Sequence, residues 1–248
     1  MTDKNSIRSV DRTIDVLETF IGATGSLKVS EIETATGINL PTLYRIMNTL
    51  ERRHFIRPAA DPTRYELDYG IIKITSGWLR NQDVVGRIEP LMQELAETTK
   101  ETVAFNLYRD RQRICVREIP SQQAINFTRG VGTAESLLYG ASGKAILAFE
   151  NEIEQKKLVR KISKSKQKKY LQELATIRKD GFATSENELI EGATSIAAPV
   201  WDISATILGT VGVYGPANRF TKKKIQLFKK QILSVSQRMS TVMGYSGP

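Results

Sequence analysis

The chain has 248 residues, 40% of them hydrophobic, and a formal net charge of +9, enough apolar content for one or two domains with real cores. No apolar run approaches the roughly 18 residues that cross a bilayer, and the opening MTDKNSIRSVDR lacks a signal peptide's apolar centre. A single cysteine, Cys115, excludes an intramolecular disulfide framework, so the expectation is a soluble chain in a reducing cytoplasm, with no membrane partner.

A first helix is expected from about Ser9 to Phe20, with Val10, Ile14, Leu17 and Ile21 at helical spacing to pack under the next two helices. After a short loop at 23–26, a second helix runs from Val29 to Thr36, with Ser30 as N-cap and Glu33 three residues on as a capping box. Gly37 supplies a tight turn, and Pro41 suits the first turn of a third helix. In that helix Leu43, Ile46, Met47 and Leu50 form one buried face, and Thr42, Tyr44, Arg45 and Asn48 look outward. Two β-prone runs, 55–57 and 64–67, flank a loop with prolines at 58 and 62, which makes a hairpin. Two helices around a tight turn, with a polar second helix and a wing after it, have the form that enters a DNA major groove. Candidate contacts are Asn39, Leu40, Thr42, Tyr44, Arg45 and Asn48 on the helix, and Arg57, Thr63 and Arg64 on the wing. The competing reading is a helical head that engages protein.

Charge supports the DNA reading locally and not globally. Residues 1–80 hold 11 Lys/Arg and 10 Asp/Glu, whereas residues 81–248 hold 25 and 17. Much of the excess lies in KKLVRKISKSKQKK (156–169), with eight basic and no acidic residues, which reads as a solvated helix surface. Between Arg45 and Arg64, however, five basic residues face two acidic ones, and local sign sets the field at a docking surface.

Residues 70–79 are apolar and helical in pattern, a connector in which Trp78 belongs either to a dimer contact or to the head's own core. Asn81-Gln82-Asp83 breaks the pattern and marks a domain boundary. Beyond it, residues 84–100 are helical with a kink or restart expected at Pro90. An antiparallel hairpin comes next (102–108 and 113–119), then a third short strand at 124–128 and a helix from Ser142 to Phe149. After the basic helical stretch, strands are expected at 183–184, 196–202 and 208–214. A last helix carries Ile225, Phe228, Ile232, Val235, Met239 and Val242. This is an α+β body with an antiparallel sheet and flanking helices.

The run Ser9-Val10-Asp11-Arg12-Thr13-Ile14-Asp15-Val16-Leu17-Glu18, with Gly37 and Thr42-Leu43-Tyr44-Arg45, resembles the winged-helix domain of IclR-type transcriptional regulators. Gly140 to Ala148 (GASGKAILA), Gly181-Phe182-Ala183, Ile196 to Asp202 and Val211 to Pro216 resemble the GAF-like effector domain of the same family. Two positions depart from the pattern: Glu33 stands where a small Ala is usual, and His54 where Gly is usual. The resemblance implies a winged helix-turn-helix domain at 1–69, a linker helix at 70–82 and an effector-binding domain at 83–248. It also implies a dimer, or a dimer of dimers, on a pseudo-palindromic double-stranded operator, with a small organic or aromatic acid as effector. Carried over by position, the effector site comprises Phe127, Thr128, Ala141, Ser142, Ser185, Ala193, Ser195, Gly212 and Tyr214, mostly small or hydroxyl-bearing rather than a charged cage.

Catalysis finds no footing in the sequence. The one histidine, His54, lies in the head, so the body has no His-based triad or His-rich metal site. A phosphate loop around Gly143-Lys144 needs Gly and Ser/Thr where Leu138 and Ala145 stand, and Ser142 and Lys144 do not share a helix face. No cofactor is expected. A ligand pocket is better supported, because Ala141-Ser142-Gly143 opens a helix whose free N–H groups favour a carboxylate.

Overall fold

The computed structural model describes residues 6–21, 23, 25–81 and 84–247, with side chains from 76 to 81 excepted. Trp78 as a packing residue therefore lies outside the described residues. The chain divides into two compact units, residues 1–83 and 84–248.

The first unit contains α1 (Arg8–Glu18), β1 (Leu27–Lys28), α2 (Val29–Thr36), α3 (Leu40–Arg52), β2 (Ile56–Pro58), β3 (Arg64–Leu67) and α4 (Tyr69–Asn81). Its core is Val16, Phe20, Ile32, Ile38, Leu43, Ile46, Met47, Leu50 and Ile56, so the apolar face read along α3 is the buried one. The turn between α2 and α3 rests on Gly37, whose φ of 65° is left-handed and whose amide donates to Glu33 O at 2.8 Å. Glu33 is half-exposed beside fully buried Ile32. His54 ends the α3 segment at φ 61°, a backbone histidine tolerates better than most residues.

Three expectations for this unit need correction. The cap of α2 is Lys28, whose amide donates to Glu31 Oε2 at 2.6 Å, not the Ser30–Glu33 pair. Along α1 and just past its end, Val16 and Phe20 are buried and the expected Leu17 packs against the core, while Val10, Ile14 and Ile21 are 49%, 48% and 60% exposed. Both sets obey helical spacing, and only tertiary packing chooses between them. The wing is three-stranded, in the order β1-β3-β2 with all pairs antiparallel; two-residue β1 is too short to show periodicity.

The second unit contains α5 (Val84–Thr99), β4 (Thr102–Arg109), β5 (Gln112–Ile119), β6 (Ala134–Ser136), α6 (Gly140–Leu147), α7 (Glu152–Val159), α8 (Lys164–Asp180), β7 (Ala183–Glu186), β8 (Ala193–Trp201), β9 (Ile207–Pro216) and α9 (Lys222–Val242). The sheet is antiparallel in the order β6-β5-β4-β9-β8-β7. One face packs Val103, Phe105, Ile196, Val211 and Val213 against Met92 of α5 and Phe228 and Ile232 of α9. A second core joins Ala183 and Ala197 to Ala141, Ala145 and Ile146 of α6 and Leu174 and Ile177 of α8. Residues of opposite parity on each strand thus feed opposite layers.

Helix α5 passes through Pro90 as one element, and the basic run folds into α7 and α8. No strand forms at 124–128. There Asn126 Nδ2 donates to Ser121 O at 2.9 Å, and Arg219 Nη1 donates to Ile125 O at 2.8 Å. Side chains satisfy this backbone, and the sheet position beside β5 goes to β6.

Candidate functional site

Two surfaces carry chemistry, one in each unit. On α3, Asn39 caps the helix by accepting from Thr42 N at 3.1 Å. Leu40 and Tyr44 are 41% and 48% exposed, and Arg45 and Asn48 are exposed beside Tyr44, with Thr42 half-buried. On the wing, Arg57 faces its cross-strand partner Glu66 at 2.7 Å. The loop between β2 and β3 is fixed by Asp61, whose Oδ1 accepts from Thr63 Oγ1 at 2.7 Å and Thr63 N at 2.9 Å. These bonds, the side-chain one foremost, hold the Asp61 carboxyl below its ordinary pKa. Arg64 is turned inward: its Nε donates to Ser26 O at 3.1 Å and Ser26 Oγ at 3.0 Å, and its Nη2 lies 3.5 Å from Glu31 Oε2. It ties β3 to the segment that precedes α2.

In the second unit, Ala141, Ser142, Ser185, Ala193, Ser195, Gly212 and Tyr214 line one cavity of about 60 Å³, room for roughly four waters or a small acid. Phe127 and Thr128 are not among its walls. The Phe127 carbonyl instead accepts from Thr102 Oγ1 at 2.9 Å, and Thr128 is exposed. At the start of α6, Ala141 N donates to Ser185 Oγ at 3.1 Å and to Ser195 Oγ at 3.4 Å, and the two hydroxyls lie 2.8 Å apart. Asn106 Nδ2 donates to Ser142 Oγ at 3.3 Å.

The cavity wall is charged, contrary to the sequence expectation of small and hydroxyl-bearing residues. Arg113, Arg129, Glu118, Glu135 and Glu188 line it. The Glu135 carboxylate pairs with both Arg113 and Arg129. Glu118 accepts from Arg129 N at 3.0 Å, from Gly130 N at 3.1 Å and from the Tyr214 hydroxyl. Burial lowers the Arg113 pKa to about 10, and the Arg129 charge adds to that, so the group stays cationic near neutrality. Burial, then the bond to Glu118, raises the Tyr214 phenol well above its usual range. Cys115, also in the wall, is pushed up to about 11 by burial and then by Glu118.

These charges escape a strict alternation reading for a geometric reason. On β5, Arg113 and Cys115 share a face, and period two would continue to Arg117. The pairing with β4 slips between Phe105 and Asn106, a bulge that leaves Val116 extra. Glu118 therefore turns inward, 8% exposed, and Arg117 outward, where it meets Glu89 at 2.5 Å. Glu188 and Arg129 come from loops, where no period exists to betray them. Among the described residues no cluster of His, Cys, Asp and Glu could hold a metal ion, and no helix is long and apolar enough to cross a membrane.

Residues 9–59 match the IclR helix-turn-helix domain, and residues 76–241 match the C-terminal domain of bacterial IclR transcriptional regulators. The chain is 21% identical to the HTH-type transcriptional regulator KdgR of Escherichia coli, covering 97% of this chain and 94% of that one. With the regulator BhcR of Paracoccus denitrificans it shares 22% over 96% and 88%. An IclR regulator from Alicyclobacillus acidocaldarius superposes with a TM-score of 0.84 at 21% identity, covering 96% of this chain and all of that one (100%). An IclR homologue from Microbacterium hydrocarbonoxydans, crystallised with 4-hydroxybenzoate, does so with 0.82 at 15%, over 95% and 98%. With both domains matched in order over most of its length, the chain belongs to the IclR family of DNA-binding bacterial transcriptional regulators, a family of regulators and not of enzymes.

Proposed function

We propose that the chain regulates transcription in the cytoplasm by binding a pseudo-palindromic operator as a dimer or dimer of dimers, and that a small organic acid in the second unit's cavity modulates that binding. The observation that carries the reading is the cavity itself. It opens at the start of α6, walled by Ala141, Ser142, Ser185 and Ser195, with buried Arg113 beside it. A helix start and a guanidinium both favour a carboxylate. The 4-hydroxybenzoate bound by the Microbacterium hydrocarbonoxydans homologue supports a carboxylate as the kind of effector.

On the DNA side, Tyr44, Arg45 and Asn48 are the residues proposed to meet base edges, with Thr42 and Leu40 at the groove wall. Arg57 and Thr63 are proposed to meet phosphate. Asn39 and Arg64 are proposed to act mainly by holding the helix start and the wing in place. Self-association is supported by α1, where Val10 and Ile14 stand 49% and 48% exposed on one face, with its N-cap Ile7 66% exposed.

The test is a thermal-shift screen of small carboxylates and aromatic acids, since a ligand that binds only the native state raises Tm. An acid that stabilises the parent should fail to stabilise Ala141→Leu, whose larger side chain fills the cavity. Equal stabilisation of both folded proteins would place the effector elsewhere.

A further inference from the structure

The anion-accepting start of α6 already holds a carboxylate from the chain itself. Glu188 Oε2 accepts from Gly140 N at 2.8 Å, and its Oε1 lies 2.5 Å from Lys144 Nζ. Lys144 is 3% exposed and has a second partner in Glu173, 2.7 Å away. Gly140 has a φ of +77°, and a Cβ there would stand 3.3 Å from Arg113 Nη2 and 2.6 Å from Leu189 Cδ1. Arg113, 5% exposed, has no acceptor for its Nε. A helix amide and a buried ammonium thus meet on the Glu188 carboxylate, and a buried guanidinium, one of whose donors is unused, lines the cavity beside them.

That glutamate is attached in a way that lets it leave. It sits in the turn between β7 and β8, which closes on itself: Asn187 N donates to Ala193 O at 2.9 Å, and Gly192 N donates to Asn187 Oδ1 at 2.7 Å. Neither bond uses the Glu188 side chain, so its withdrawal leaves the β7–β8 pairing intact. The side chain keeps 28% exposure, and its neighbour Leu189 keeps 43%. Lys144 and Arg113, by contrast, project from a buried helix and a sheet strand.

We infer that Glu188 is a built-in competitor: its carboxylate stands where the anionic group of the effector is received, and it withdraws when a small carboxylate binds. This rests on the reading of the cavity as the effector site. A tethered carboxylate competes at a high effective concentration, and the apparent affinity of the ligand falls by the fraction of chains in which the site is vacant. Glu188 therefore sets the ligand concentration at which the pocket fills. It also names the ligand's anchoring group, because a helix amide and an ammonium that accommodate one carboxylate will take another of the same shape.

The experiment is calorimetry on the full chain with acetate, acetamide and 4-hydroxybenzoate, using the parent, Glu188→Ala, Glu188→Gln, and Glu188→Ala combined with Ala141→Leu. Circular dichroism confirms folding, and Glu188→Gln, which keeps an acceptor for Gly140 N, stands in if the alanine variant does not fold. Acetate should bind Glu188→Ala at least tenfold more tightly than the parent, with Glu188→Gln in between, and acetamide should show no such gain. Equal or weaker acetate binding in both variants overturns the inference, as does a failure of either acid to bind any variant. Binding that Ala141→Leu abolishes but that ignores Glu188 removes the competitor and leaves the cavity reading standing. A gain that survives Ala141→Leu overturns both, because the carboxylate then sits outside the cavity.

Discussion

Arg113 and Cys115 are adjacent in the same wall and differ in what burial does to them. The guanidinium stays charged and keeps Glu135 for company, with Arg129 as that carboxylate's second partner. Replacing Arg113 by Met removes a buried cation but leaves Glu135 paired, so the cost should fall below the roughly 3–5 kcal/mol of a fully broken buried pair, at about 2 kcal/mol. Urea unfolding measures it; a variant as stable as the parent means the pair contributes nothing net. The thiol, raised to about 11, is protonated at pH 8 in the folded chain, whereas an unfolded thiol titrates near ~8.5. Its reaction with a disulfide reagent at pH 8 should therefore be at least tenfold slower than in urea. The folded chain binds this proton more tightly than the unfolded one, so the thiol's contribution to stability is complete below ~8.5 and is lost as pH rises toward 11. Fast labelling of the native protein would contradict both the burial and the shift.

Elements differ in how much of their role the sequence reveals. Helix α3 is legible because its apolar positions 43, 46, 47 and 50 fit a single stripe, and all four are buried. Helix α1 is ambiguous because two overlapping stripes satisfy the same period, and the exposed one is the more apolar. Strands β4, β5, β7, β8 and β9 are legible in the sequence, whereas β6 forms in place of the run expected at 124–128, and the bulge in β5 and the loop origin of Glu188 and Arg129 hide the charged half of the cavity. On the wing, Arg64 looks like a phosphate contact in sequence and is bound to Ser26 and Glu31 in the fold. Arg45→Ala should thus weaken a selected operator duplex by roughly 1–3 kcal/mol if Arg45 reads a guanine edge. Arg64→Ala should first lower the melting temperature of the head and weaken all duplexes together. Anisotropy titrations against matched and scrambled duplexes separate the two; equal loss of specificity in both variants would contradict the division of labour between helix and wing.

At the scale of the whole molecule, two units with separate cores occupy one chain, and the family match spans both. Two heads on a two-fold axis should protect half-sites about 34 Å apart, or a multiple of that. Ile14→Glu on the exposed face of α1 should weaken the paired footprint while leaving the head folded. A regulator further requires that pocket and operator affinity be coupled, which means that the ligand must distinguish two arrangements of the assembly. The most direct measurement is operator affinity by fluorescence anisotropy, with and without a saturating acid from the screen, in the parent and in Ala141→Leu. Operator affinity should change at least fivefold in the parent and not at all in the variant, with equal affinities when no ligand is present. Operator affinity that ignores the ligand in the parent, or that shifts equally in both proteins, would contradict that coupling.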